Sequence, residues 1–210
     1  MTQSSNTIPK AAVHGTASGV FFMAFFGTAW AYTGTMGLQG WGDPLVIVGA
    51  LIIGLALILG GVVLVRSSRN LTNQVSEADS ERFKRTKKWF PIVFAAEGVA
   101  IAVTVAICNA TGHTELIPLL IAIIVGVHFF PLAPLFQVKL YHYTGALLCL
   151  LSLITWLFVP EKIIIGEHEI ITYMSIVGFG SALILWGTGL AIWLIGKKLL
   201  VMSSHKGLSL

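Results

Sequence analysis

The amino-acid sequence predicts an all-α integral membrane protein, with six transmembrane helices in three hairpins and both termini cytoplasmic. Composition is the first reason. Of 210 residues, 10% are charged and 56% hydrophobic, whereas a soluble domain carries about 25% charged residues. The second is six apolar runs that approach or exceed the roughly 20 residues needed to cross a ~30 Å hydrocarbon core. The third is the placement of the basic residues between those runs.

In chain order, a cytoplasmic tail (1–15) leads into the run Thr16–Leu38, and the short turn Gln39–Asp43 leads to Pro44–Val65. The one long polar segment, the inner loop Arg66–Lys88, precedes Phe90–Ala110. A second short turn, Thr111–Glu115, joins it to Leu116–Phe136. Tyr143–Val159, the outer segment Pro160–Ile170 and Ile171–Ile195 complete a transmembrane domain over 16–195, and 196–210 form a second cytoplasmic tail. Ala29-Trp30-Ala31 resembles a signal-peptide cleavage site, but Lys10 alone is a thin basic region, so the first run reads as a retained helix.

Orientation follows from charge. Twelve of the 13 Lys and Arg residues fall in one set of segments, and Lys162 alone in the other. By the positive-inside rule the crowded side is cytoplasmic. The net charge of +4 is then a topology signal and implies no nucleic-acid partner. Its natural partners are the bilayer itself and anionic inner-leaflet lipids near Arg66–Lys88. Within that loop Glu77, Glu81, Lys84, Arg85 and Lys88 have helical spacing. Ser80–Lys88 running into Trp89 reads either as a helix on the inner leaflet or as a solvated loop.

Other features have packing explanations. Gly180, Ile184, Gly187 and Ala191 form a stripe that lets a helix approach closely, as do Gly49, Gly54, Gly60 and Gly61. The same glycine-rich faces suit a homo-oligomer. Trp41, Trp89, Trp193, Tyr141 and Tyr143 fit interfacial aromatic belts. Cys108 and Cys149 fall at different depths, too far apart for a disulfide and too few for a metal site. The glycosylation patterns at Asn70 and Asn109 fall inside and nearly within the membrane. No sequence repeat relates the hairpins, so nothing indicates an inverted-repeat transporter.

The chemistry concentrates on two residues. Glu97 and His128 lie inside consecutive apolar runs, each 15.5 positions from the centre of the turn Thr111–Thr114. In an antiparallel hairpin they arrive level. A charge at that depth costs at least ~2.5 kcal/mol, so such residues pair or line a polar pathway. Pro131 and Pro134 each remove a backbone donor, freeing the carbonyls of Val127 and Phe130 and kinking the helix beside His128. Glu97 and His128 should therefore touch and titrate as a unit. Thr28 and Tyr32, with Thr35, share a face of the first helix and either line a ligand cavity or bond between helices. No cofactor is indicated: a two-histidine haem needs a second histidine level with His128, and no nucleotide or nucleophile motif is present.

The stretch Val125-Gly126-Val127-His128-Phe129-Phe130-Pro131-Leu132-Ala133, with Leu135-Phe136, Tyr141 and Thr144-Gly145, resembles a motif of small bacterial multi-spanning membrane proteins of unassigned function. The resemblance covers about twenty residues and brings no catalytic residue with it. Three functions are consistent with these features. One is a transporter or permease-like protein that takes a proton or small polar solute at Glu97–His128. Another is a membrane-embedded ligand-binding, sensory or accessory protein in which the pair is structural or pH-responsive. An intramembrane enzyme has least support, since one carboxyl and one imidazole are generic acid–base parts.

Overall fold

A helix forms over each continuously apolar run, and some of the helices end at a glycine or just before a proline. The computed structural model describes residues 10–71 and 77–207. Six helices in it are long and apolar enough to cross a membrane, which makes this a multi-pass membrane protein. They are α1 (Lys10–Gly37), α2 (Asp43–Ser67), α3 (Glu77–Thr111), α4 (Ile117–Phe136), α5 (Leu140–Phe158) and α6 (Thr172–Gly207).

The breaks have local causes. After α1 the backbone turns through positive φ at Gln39, Gly40 and Gly42, and Pro44 in the first turn of α2 is preorganised for helix. Helix α3 closes on Gly112 at φ 80°, where the His113 amide donates to the Cys108 carbonyl at 2.9 Å, a left-handed C-terminal cap. Between α5 and α6, two short strands pair antiparallel, β1 (Lys162–Ile165) with β2 (His168–Ile171). The segment 160–170, expected as loop in an all-α chain, is therefore largely a hairpin. Its isoleucines are β-branched, and Gly166 supplies the positive φ that its tight turn requires.

Two helices outrun their apolar stretches. Helix α1 starts at Lys10 and α6 continues to Gly207, so the described parts of the expected tails 1–15 and 196–210 are helical. Polar residues such as Lys197 and Lys198 end hydropathy but do not break helix propagation. The inner loop 66–88 shortens for the same reason. Arg66 and Ser67 close α2, Ser68–Asn70 make a 3-10 turn, and α3 already begins at Glu77. Residues 72–76, with the Asn70 glycosylation pattern's Thr72, lie outside the described residues, as do the tail portions 1–9 and 208–210. The basic stretch is thus the first part of one continuous helix and not a separate surface helix. Lys84 Nζ meets Glu81 there at 2.8 Å on an exposed face.

The helices pack in two layers: α1 and α6 with α2 against them, then α5 and α4 with α3 outermost. All three sequential hairpins are in contact, but the largest interface joins the first helix to the last. At its tightest point a Cβ on Gly178 would meet the Gly34 backbone. Gly189 and Gly196 continue that row against Met23 and Thr16. The small-residue stripe expected from the sequence is offset from this row. Gly180 faces Leu151 of α5, and Gly187 has open space beside it. In α2, Gly54, Gly60 and Gly61 pack on Thr28, Trp193 and Phe21, while Gly49 faces nothing within 4 Å. Trp193, expected in an interfacial belt, donates from Nε1 to the Gly60 carbonyl at 3.1 Å. Helices α5 and α6 are also tied by the buried hydroxyl pair Thr144–Thr188 at 2.8 Å.

Candidate functional site

Helix α3 is the loosest element. Among its described residues Cys108 alone is buried, because α3 packs along α4 and approaches α1 chiefly through aromatic rings. Phe22 lies 5.8 Å from Phe90 and 6.3 Å from Phe94, and Phe26 is 6.3 Å from Phe94. Rings of that size hold the two backbones apart and leave a cavity of about 940 Å³ between α1, α3 and α4, bordered by α5 and α6.

Glu97 and His128 lie on the wall of this cavity. Helices α3 and α4 run antiparallel from the short turn at 112–116, so the equal spacing read from the sequence brings the two side chains level. Glu97 Oε1 is 3.3 Å from His128 Nδ1, with the side chains only 10% and 13% exposed. The same Nδ1 lies 2.7 Å from the Val125 carbonyl. A carbonyl only accepts, so Nδ1 carries its proton and presents it to two oxygens, the carbonyl closely and the carboxyl more loosely. This fixes the tautomer. His128 Nε2 makes no hydrogen bond to any described residue, which leaves it as the ring position able to exchange a proton with the cavity.

Helix α4 is continuous through Pro131 and Pro134, and His128 Nδ1 lies against the Val125 carbonyl, three residues back. Helix α3 carries its own internal proline, Pro91, six residues before Glu97. The ends of α3 and α4 remote from the turn at 112–116 are joined by Thr86, whose Oγ1 donates to the Leu135 carbonyl at 3.2 Å. A close crossing fixes the other side of α4. A Cβ on Gly126 would lie 2.6 Å from Cys149 Sγ and 2.8 Å from the Gly145 carbonyl, so α5 braces the turn of α4 that carries His128. Cys108 and Cys149 are both free thiols.

The structure does not bring Thr28 and Tyr32 to this site. They line a separate crevice of about 50 Å³ against α2, with Thr35, Ile47 and Ala50 among its walls. Thr28 Oγ1 donates to its own helix at the Ala24 carbonyl, 2.8 Å away, and Tyr32 is largely exposed. The face of α1 that meets the cavity instead presents Ser18, Phe22, Phe26, Trp30 and Thr33. Tyr141 was missed as a site residue because an interfacial belt explained it. It is 6% exposed, lines the cavity and lies one ring beyond His128, through Phe129 at 4.7 Å and then 5.5 Å. Its place in the short motif with His128 was the available signal.

The pair and part of the cavity wall fall in the part of the chain that known sequences recognise. Residues 89–188 are similar to a family of unknown function, DUF7010. No curated protein and no solved structure matches the chain. The matched segment runs from the end of the basic stretch through α4 and α5 to Thr188, and it contains Glu97, His128, Tyr141 and the Gly126–Gly145 crossing. All of α1 and α2 lie outside it, although α1 supplies one wall of the cavity.

Proposed function

We propose that this is a transporter or permease-like protein of a bacterial inner membrane, with Glu97 and His128 binding a proton or the polar group of a small solute. One observation carries the proposal: the pair stands on the wall of a 940 Å³ cavity and not in a packed interior. A purely structural ion pair gains from close packing and full hydrogen bonding. Here Nε2 of His128 has no hydrogen-bond partner among the described residues, and the carboxyl contact is long. With Nδ1 anchored on Val125, a proton taken at Nε2 can be balanced by Glu97 without moving the ring. The twelve-to-one distribution of basic residues supports cytoplasmic termini and places the pair in the inner half of the bilayer.

The anchor on Val125 also favours a second reading, a membrane-embedded ligand-binding, sensory or accessory protein whose His128 responds to pH. Two measurements separate these. In proteoliposomes with a trapped pH dye, the wild type should dissipate an imposed gradient faster than empty vesicles, and Glu97→Gln should abolish this while keeping its thermal stability. Equal dissipation by wild type and empty vesicles, with no solute found by untargeted mass spectrometry of the purified protein, refutes transport.

A further inference from the structure

We infer that the cavity takes a single-chain amphiphile with an uncharged hydroxyl head, the hydroxyl seated on Glu97 and His128 and the chain lying between α1, α3 and α4. The inference rests on the reading of Glu97–His128 as a binding site and names the class of its ligand.

Size comes first. A water takes about 30 Å³ of liquid volume and needs two to four polar partners. A cavity of about 940 Å³ would hold about thirty waters, far more than a proton path requires. Its wall cannot satisfy them, being built mainly of Phe, Ile, Met and Leu side chains such as Phe94, Ile101, Ile121 and Met174. The volume lies near the top of the roughly 300–1,000 Å³ range of sites that enclose organic ligands, and apolar walls of that extent call for an apolar body.

Shape comes second. Along α4 the cavity runs both ways from His128, eleven residues to Ile117 and eight to Phe136, about 16 Å and about 12 Å at helical rise. The arm towards Ile117, with Ile101, Ile121 and Val125 among its walls, suits an apolar chain whose head rests at the pair. A plain acyl chain of bulk lipid would instead lay methylenes across the carboxyl and the imidazole, leaving both unsatisfied.

Charge selects the head. With one proton shared between the carboxyl and the imidazole, the state in which the pair titrates as a unit, its net charge is zero. Lys87, the other charged residue on the wall, lies ten residues and about 15 Å from Glu97 along α3. An ammonium or carboxylate head would therefore bring an uncompensated charge into a low-dielectric site. A hydroxyl both donates and accepts, so it can serve Glu97 and the free Nε2 of His128 together. The Tyr141 phenol further along the same wall gives a second polar contact to a head with more than one oxygen.

The test uses the full-length protein in lipid nanodiscs and a photoreactive, alkyne-tagged hexadecan-1-ol. Labelling should be saturable, should map to cavity positions such as Ile101, Ile121 and Val125, and should be displaced by hexadecan-1-ol at least tenfold better than by palmitate or hexadecylamine. Replacing the head contacts singly (Glu97→Ala, His128→Ala) should weaken it about fivefold, the loss of one hydrogen bond. Ile121→Trp should remove it by filling the chain space while the pair remains. Unsaturable labelling, as dense at lipid-facing Leu51 and Val103 as in the cavity, overturns the inference, and so does palmitate or hexadecylamine competing as well as the alcohol. Glu97-dependent proton flux without saturable labelling sinks the amphiphile and leaves transport standing. Saturable labelling without any flux does the reverse.

Discussion

The closest backbone approach between α1 and α6 gives the most discriminating mutation. At Gly178 an added Cβ would sit 2.5 Å from Gly34 Cα and 2.9 Å from the Trp30 carbonyl, and closer still to the Gly34 amide. Carbon atoms in contact prefer about 3.5 Å or more, so Gly178→Ala must push α6 off α1 by about 1 Å. None of the obstructing atoms belongs to a flexible side chain that could swing away. A gap of 0.5–1 Å forfeits about a quarter to a half of each dispersion contact it opens, and this is the largest helix interface in the molecule. Overpacking of this kind costs about 1–3 kcal/mol. Removing a helical glycine returns up to about 1 kcal/mol, which leaves a net loss of about 1–2 kcal/mol.

Gly187 provides the control on the same helix. Nothing lies within 4 Å of its added Cβ, so Gly187→Ala should be neutral or stabilising by up to about 1 kcal/mol. Unfolding both variants by SDS titration in mixed micelles, followed by tryptophan fluorescence, should separate them by at least the factor of ten in folded fraction that about 1.4 kcal/mol represents. The small-residue stripe read from the sequence predicts the opposite order, with Gly187 in the interface. If Gly187→Ala destabilises as much as Gly178→Ala, the described α1–α6 register is wrong.

Three further outcomes follow from the same geometry. A double-mutant cycle on Glu97→Gln and His128→Asn should give a coupling below about 2 kcal/mol, the range of polar pairs between membrane helices; a value above about 3 kcal/mol would mark the pair as a structural keystone. In a Cys108→Ala, Cys149→Ala background, an impermeant thiol reagent applied to intact cells should label Glu167→Cys in the outer hairpin and spare Ser204→Cys. Labelling at position 204 reverses the orientation and the depth of the site with it. Glu115, outside the spans, accepts from its own amide and lies 3.0 Å from His113 Nδ1, and these contacts hold its carboxyl below the ordinary value of 4.5. A depressed carboxyl contributes above its unfolded value and ceases to as pH falls through the folded one, so amide exchange at 112–116 should quicken only below about that ordinary value. Quickening near neutral pH would assign the turn's order to His113 instead.

The features legible in the sequence were those set by distance along the chain. Equal spacing from a short turn is enough to bring Glu97 and His128 level, because helical rise is constant and the turn leaves no slack. The six spans were legible because hydrocarbon thickness sets their length. Their ends were less so, since the apolar runs begin at Thr16 and end at Ile195 while the helices reach Lys10 and Gly207. Helix rotation was not legible. A stripe of small residues on α6 looks the same whether it faces α1, α5 or lipid, and only the packed partner shows that the row through Gly178 makes the crossing.

Thr28 and Tyr32 lie apart from the pair for that rotational reason, and the separation is informative about the site. On α1 the hydroxyl stripe faces α2, while the stripe of Phe22, Phe26 and Trp30 faces Glu97 and His128. Hydroxyls could have been expected opposite an ionisable pair, to satisfy its remaining lone pairs and protons. Aromatic rings cannot do that, yet their bulk is what keeps α1 and α3 apart. The consequence is a polar pair with unused hydrogen-bonding capacity set in a largely apolar space, held rigidly by Val125 on one nitrogen and by the Gly126–Gly145 crossing behind it. A buried polar group is costly unless it is satisfied. Since the protein leaves this one open, the arrangement makes physical sense when something else, a proton or a hydroxyl, completes it.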